Sequence, residues 1–412
     1  MGSATTMLPA EGFSMKGTHP PIAAAYDSQN FVFIGLPHNG DFELPLSSGN
    51  WYLTGNPYPS AMDNDQFILD NQGVITGEIE IWDDWSDNTH YYALAHAGYG
   101  TYNLSGGAPA PNYNNTSELG AKIPGRYMPV AQGFGVTGAG PVGSMIKFNN
   151  AQREFVTEAD PDESLFFKQR GKTQRKNQVS DTDARLKIRL GFTATSNFNR
   201  QILLTFDDKS TDGLDYGYDA ISNNVFEEDM YWMLEENKLI IQAVKDLRLD
   251  RVVPLGIKSL GEGPVKIKVD AVENPTPGLE VYLRDNLTMD THDILNGTFE
   301  INLAEGAFNE QYSVVFEPKP EAPEEVEEMF DELLVFVSED NNFIRIKRPD
   351  EMTIQTISLF NVIGQQIRAW SSNLEQREID LAVQVETGVY VVMLETDQGN
   401  LMKKVVMRKN LE

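Results

Sequence analysis

The sequence predicts an all-β chain of tandem β-sandwiches, with jelly-roll-like modules followed by a seven-stranded immunoglobulin-like sandwich at the C-terminal end. Three observations carry this reading. Short runs of alternating apolar and polar residues recur along the chain, separated by clusters of Gly, Asn, Asp and Pro, as in half-buried strands joined by turns. Helical periodicity is nearly absent, with one helical turn expected at DNDQFILDN (63–71). Residues 333–410 then repeat the strand-and-turn spacing of a complete small sandwich, which is the immunoglobulin-like signature.

In chain order, residues 1–160 form a first sandwich module. FVFIGL (31–36), DFELPL (41–46), NWYLTGN (50–56), GEIEIWDDW (77–85), HYYALAH (90–96), GFGVTG (133–138) and SMIKFNN (144–150) read as strands. Turn clusters such as Pro37-His38-Asn39-Gly40 punctuate them. Residues 161–184 read as a linker or long exposed loop, locally basic at FKQRGKTQRKNQ (167–178). Residues 185–317 form a second, jelly-roll-like module. Its strands are LKIRLGFTA, RQILLTFDD, DMYWMLE, KLIIQAV, PVKIKVDAV, LEVYLRDN, GTFEINL and QYSVVFE. Residues 318–332 (PKPEAPEEVEEMFDE) are rich in Pro and Glu; stiff prolines and mutual repulsion make an extended tether. In 333–410 the strands are LLVFV, FIRIK, TIQTISLFNV, QQIRAW, GVYVVMLET and NLMKKVVMR. Alternation of Ile354, Ile357, Leu359 and Val362 slips phase, which predicts a β-bulge.

Composition narrows the function. The chain has 412 residues and a formal net charge of −28, a field that repels phosphate backbones and excludes nucleic acid as an expected partner. It has no cysteine, so disulfides and thiolate metal sites are excluded. No run is long and apolar enough for a membrane-spanning helix. Met1-Gly2-Ser3-Ala4 lacks the basic start and apolar stretch of a signal peptide. Met1-Gly2-Ser3 and Leu411-Glu412 read as additions left by cloning.

Several motifs invite a chemical reading. Strand alternation puts Glu78, Glu80 and Trp82 on one face, where paired carboxylates could serve retaining glycoside hydrolysis. The run resembles the Glu-x-Asp-x-x-Glu strand of laminarinase-type β-glucanases, but departs from it at Glu80 and Asp83. The plainer reading is a strand face followed by an acidic turn, and no enzymatic activity is expected. Gly133-Phe134-Gly135-Val136-Thr137-Gly138 has dinucleotide-fingerprint spacing but no readable helix after it. Asp207, Asp208, Asp212, Asp215 and Asp219 crowd a Gly-containing loop, offering the hard oxygen ligands that Ca²⁺ prefers, although Asp and Gly are equally ordinary turn residues. His19, His38, His90, His96 and His292 show no metal-ligand spacing, and no serine sits in a nucleophile elbow. Trp82, Trp85, Tyr91, Tyr92, Tyr99 and Tyr102 could stack sugars; such aromatics otherwise pack cores and edges.

ISLFNVIGQQIRAW, TGVYVVMLETDQG and KKVVM, in that order, resemble the C-terminal sorting domain of proteins exported by the type IX secretion system of Bacteroidetes. Gly364, Gly388, Val389, Tyr390, Lys403, Lys404 and Val405 occupy the family positions. The Pro-x-Pro and Gly opening of that family is replaced by LLVFVSEDNNFIRI. Segments such as GNPYPSAMD (55–63), IEIWDD (79–84) and RLGFTATSNFNRQILLTFDDKSTDGLDYGYDA (189–220) resemble a stalk or passenger module that precedes this domain in surface proteins. The resemblance implies a secreted or cell-surface cargo, exported across the outer membrane and adhesin-like in role; the alternative is a carbohydrate-binding or β-glucanase-like surface protein. It implies that an outer-membrane β-barrel carrier and the translocon read the C-terminal end, and that a sortase-like peptidase removes it. Surface glycans are candidate ligands of the passenger. A final strand at the chain end can fray from Val406 to Asn410, and Lys403, Lys404, Arg408 and Lys409 make that end basic.

Overall fold

The computed structural model describes residues 7–14, 34–85, 96–111, 120, 122–156, 183–222, 226–318, 332–338, 343–361, 364–372 and 374–407. They form antiparallel β-structure almost throughout, as tandem β-sandwiches. The chain divides into two compact units. One holds Met1–Leu247, Glu262–Leu279 and Glu300–Leu303, and the other Arg248–Gly261, Glu280–Phe299 and Ala304–Glu412.

In the first unit a five-stranded sheet runs in the order Trp51–Gly55, Gly133–Thr137, Ile79–Asp84, Ala97–Asn103, Gly106–Ala108. Its inner face packs Ile79, Ile81, Tyr102, Phe134 and Val136 against helix Asn64–Asp70, which buries Phe67 and Ile68 completely. The helix forms where the sequence placed it because Asp63 caps it, accepting the N–H groups of Asp65 and Gln66. A second sheet region orders Asp229–Leu234, Asn237–Val244, Asn199–Phe206, Lys187–Thr193 and Gly263–Glu273. Asn199–Phe206 and Asn237–Val244 run parallel.

Residues 1–156 and 183–247, expected as separate modules 1–160 and 185–317, share this one unit. Ala108 packs in one cluster with Leu203, Ala220 and Ile241. Arg189 Nη1 donates to Gly107 O at 2.8 Å, Leu104 N to Gly217 O at 2.7 Å, and Tyr216 Oη to Ile68 O at 2.8 Å. Gly77 (φ 106°) and Gly217 (φ 76°) meet so closely that a Cβ on Gly77 would lie 2.6 Å from Gly217 N, an approach open only to glycine. Ion pairs lie beside the junction: Arg189 Nε is 2.7 Å from Glu273 Oε1, both buried, and Lys187 Nζ is 2.8 Å from the half-buried Asp183. The linker expected at 161–184 falls mostly outside the described residues, as does the tether expected at 318–332.

In the second unit, strands Thr291–Asp293, Tyr282–Asp285, Gly306–Val315 and Val252–Ser259 lie side by side, antiparallel. Residues 333–407 form the C-terminal sandwich. Leu334–Val337, Phe343–Lys347 and Glu378–Ala382 make one sheet. Gln366–Trp370, Ile354–Asn361, Gly388–Thr396 and Gly399–Met407 make the other. Its core, centred on Ile344, Ile357, Leu359, Val392 and Leu394, is drawn from Leu333 to Met407 alone. The bulge is present, with a register shift between Ile354 and Thr356 against Gly388–Thr396.

Two expected strands and one unexpected one mark the differences. Ile34, Gly35 and Leu36 are exposed and outside any strand, and the rest of 31–33 is not described. HYYALAH lies outside the described residues except His96; the strand follows it at Ala97–Asn103. Glu378–Ala382, the seventh strand of the C-terminal sandwich, is not among the runs named from sequence; Glu378 and Asp380 mask its alternation with Ile379 and Leu381.

Candidate functional site

The residues of the sorting motif divide by what they touch. Gly364 takes φ 80° to close a turn in which its N–H bonds Asn361 O at 3.1 Å, and Gln365 N bonds Asn361 Oδ1 at 2.9 Å. The Tyr390 ring lies over Gly388, whose Cβ would stand 3.5 Å from Cε2, and Tyr390 Oη donates to Glu386 O at 3.0 Å. Val405 is buried in the core. These residues make the fold. Those presented outward are Lys404 and Val406, with Lys403 and Val389 half-buried. All lie on or beside Gly399–Met407, which among the described residues ends its sheet with one neighbouring strand and so presents an edge for pairing. Fraying from Val406 does not fit this register. Val406 pairs with Val389, and Met407, only 2% exposed, with Gly388. Arg408 and Lys409 lie outside the described residues.

The outer face of the five-stranded sheet carries the second candidate. Gly135 leaves room for the Trp51 indole to lie flat across its strand: a Cβ there would stand 2.3 Å from Trp51 Cζ2. Trp51 Nε1 reaches Glu80 Oε2 at 2.6 Å. Tyr99 meets Trp51 edge-on at 5.6 Å and Trp82 at 4.8 Å. Trp51 nevertheless stays 41% exposed, so a fixed indole face looks outward. Among the sequence-named aromatics, Trp82 and Tyr99 join this cluster. Tyr102 faces the core and donates to Asp65 at 2.7 Å, and Tyr91 and Tyr92 are not described. Trp51 was missed; its signal is a tryptophan opening a strand whose partner is Gly-x-Gly.

The carboxylates are engaged. Glu78 accepts from Thr76 Oγ1 at 2.6 Å, and Glu78 and Glu80 are both buried. Asp83 points to the opposite face, 3.2 Å from Lys122, and burial pushes its carboxyl up despite that ammonium.

The aspartate loop closes on the sheet. Asp207 accepts from Arg185 Nη1 at 2.7 Å and from Lys209 N at 2.9 Å. Asp215 accepts from Thr211 N and Oγ1. Asp219 accepts from Ala243 N at 2.8 Å and Asp215 N at 2.7 Å, ending the ladder, and burial pushes it up to about 6. Asp208 and Asp212 are exposed. Among the described residues no group of three or more His, Asp or Glu could hold a metal ion. His38 packs on Phe42 and His292 on Phe299; His19 and His90 are not described. Gly133–Thr137 is an antiparallel strand paired with Trp51–Gly55, without the helix a dinucleotide needs.

Comparison with known proteins gives two family matches. Residues 1–316 match the family described as Domain of unknown function (DUF8693). Residues 339–408 match the Secretion system C-terminal sorting domain. No curated protein matches the chain. A solved structure, "Biofilm associated protein - BSP domain", is 8% identical, covers 95% of this chain and 100% of its own, and has a TM-score of 0.16, too slight a likeness in fold to carry an argument.

Proposed function

The chain belongs to the DUF8693 family and is type IX secretion cargo, and from that premise we propose that it serves as a non-enzymatic, adhesin-type passenger. Export, interaction with the secretion machinery, and a cell-surface or secreted location follow from the sorting domain. Our reading adds that the outer-membrane β-barrel carrier and translocon engage strand Gly399–Met407, and that a sortase-like peptidase then separates the domain from its cargo. The observation that carries it is the self-contained core of Leu333–Met407 beneath an edge strand presenting Lys404 and Val406. Such a domain can be read and removed without unfolding what precedes it.

The test fuses residues 318–410 to a folded reporter in a host with this secretion system. Two companions keep the fold: one ends at Met407, the other carries Lys403→Glu, Lys404→Glu and Val406→Asp. Ending at Met402 would remove core residues Val405 and Met407 and confound folding with recognition. The intact fusion should reach the surface or medium and the triple variant should stay in the periplasm. Equal export of both would remove the edge strand from the account.

A second reading, that the passenger binds glycans, is favoured by the fixed and exposed Trp51 indole. A flat aromatic face stacks on the apolar face of a sugar ring, and Glu80 and Tyr99 hold this one in place beforehand. The engaged states of Glu78 and Glu80 favour binding over hydrolysis. On a glycan array the protein should retain a sugar that Trp51→Ala loses, with no reducing ends released.

A further inference from the structure

In the second unit, a cavity of about 170 Å³ opens beside strands Val252–Ser259, Gly306–Val315 and Tyr282–Asp285. Val252, Val315 and Met289 supply apolar wall; Arg284, Arg251 and Thr291 supply polar groups. Arg284 is unusual here. It stands opposite Thr291 on one side and Ser313 on the other. Its Nε donates to Asn286 Oδ1 at 3.0 Å. Asn286 is itself clamped, donating to Ser313 Oγ at 3.0 Å and Glu310 O at 2.8 Å. The guanidinium is therefore oriented by a neutral amide.

Its remaining donors meet no acceptor among the described residues, and it forms no ion pair there. Asp250 and Glu317 also line the cavity, but both are exposed, and Asp250 pairs with Arg248 at 3.5 Å. Burial lowers the Arg284 pKa, and among the described residues no carboxylate offsets it. In a chain with 61 acidic residues against 33 basic ones, a half-buried cation without a carboxylate is an exception to the pairing that burial demands.

We propose that this cavity binds a small carboxylate-bearing ligand, with Arg284 as its charge partner. A guanidinium offers paired donors that match a carboxylate. Arg251 and Thr291 line the same cavity, and the aliphatic wall suits the ligand's body. The volume is below the roughly 300–1,000 Å³ of pockets for drug-sized ligands and suits a single sugar acid or a short carboxylic acid.

The full chain is titrated with glucuronate, propionate and glucose by calorimetry. Glucuronate, propionate or both should saturate, and glucose should not. Binding of both acids means that the carboxylate alone is read, whereas glucuronate alone assigns a sugar acid and propionate alone a short acid. Arg284→Gln should weaken the binding at least about tenfold, the loss expected for a charge-assisted hydrogen bond. A companion variant, Arg284→Met, should melt at or above the wild-type temperature, because a half-buried cation without an ion pair among the described residues contributes little to holding the fold. Absence of saturation by either acid, binding unchanged in Arg284→Gln, or a large drop in melting temperature for Arg284→Met would each overturn the proposal.

Discussion

The region up to residue 316 and the C-terminal sandwich are both β-structure, yet they are held together differently. The first buries charge: Lys187, Arg189, Arg200, Asp207, Asp219, Asp229 and Glu273 are all under a tenth exposed. The sandwich buries aliphatic side chains, and among its described residues only Ser358 and Thr396 are buried polar groups. Its ion pairs among the described residues, Arg345–Asp380, Lys347–Glu378 and Arg377–Asp350, stand on the surface. An aliphatic core needs only alternation and volume, so it can form wherever the domain is attached. A buried charge needs one particular partner, so it fixes which segments must come together.

The largest expected effect tests the buried network. Arg189→Ala leaves Glu273 buried, with Lys187 Nζ 3.7 Å away as partial compensation, and strips Gly107 O of its donor. Removing one member of a buried pair costs roughly 3–5 kcal/mol, and Lys187 places this loss near about 3. Denaturant unfolding followed by tryptophan fluorescence reads it, since Trp51, Trp82, Trp85 and Trp232 all lie in this region. A loss below about 1 kcal/mol, the ordinary value for surface pairs, would erase the contrast between the two regions.

Next comes Asp219. Its folded pKa is raised from 3.8 to about 6 by burial, against the two N–H groups it accepts. Between about pH 4 and about pH 6 the folded state keeps a proton that the unfolded state has lost, so stability falls as pH rises through that window and is level outside it. Two pKa units correspond to at most about 3 kcal/mol. Wild-type stability relative to Asp219→Asn should therefore decline across this window. A constant difference would show that Asp219 ionises freely in the folded protein.

A smaller effect is expected in the sandwich. Arg345 lies 2.6 Å from Asp380, but the two side chains are 38% and 42% exposed. Arg345→Ala should cost about 0.2–1 kcal/mol and less in high salt, read as the melting shift of the fusion-borne domain. A loss as large as that of Arg189→Ala would put the two regions on the same footing.

The same contrast explains what could be read from sequence. The C-terminal sandwich was legible because Ile354 and Ile357 sit between polar neighbours and turns such as Asp397-Gln398-Gly399-Asn400 cut its apolar runs, and the Asn64–Asp70 helix because its cap is written in Asp63. The union of residues 1–156 with 183–247 was not legible. It depends on Gly77 meeting Gly217, on Gly107 O accepting from Arg189, and on Ala108 in a shared cluster, and none of these leaves a periodic trace. At the candidate sites, residue type was visible but its use was not. Glu80 is legible as a carboxylate on a strand face but not as the acceptor of the Trp51 indole N–H, and Gly388 and Tyr390 are legible as a pair but not as a glycine over which the ring lies.

The smallest expected effect concerns calcium at Asp207–Asp219, and we predict that there is none. Five aspartates in one loop look like a ligand set, but a cation needs several carboxylates converging with free oxygens. Asp207 is taken by Arg185, Asp215 by Thr211, and Asp219 by the backbone of Ala243 and Asp215. Calcium would have to compete with the Arg185 pair for Asp207 and with the Ala243 N–H for Asp219, which leaves the exposed Asp208 and Asp212 too few to build a site. A site filled at a hundred times its Kd would stabilise the protein by about 2.7 kcal/mol, well within the reach of a melting experiment. The full chain should melt at one temperature in millimolar Ca²⁺ and in excess chelator. A rise with Ca²⁺ that Asp215→Asn abolishes would show that the loop opens to bind the ion, its hydrogen bonds giving way to metal ligation.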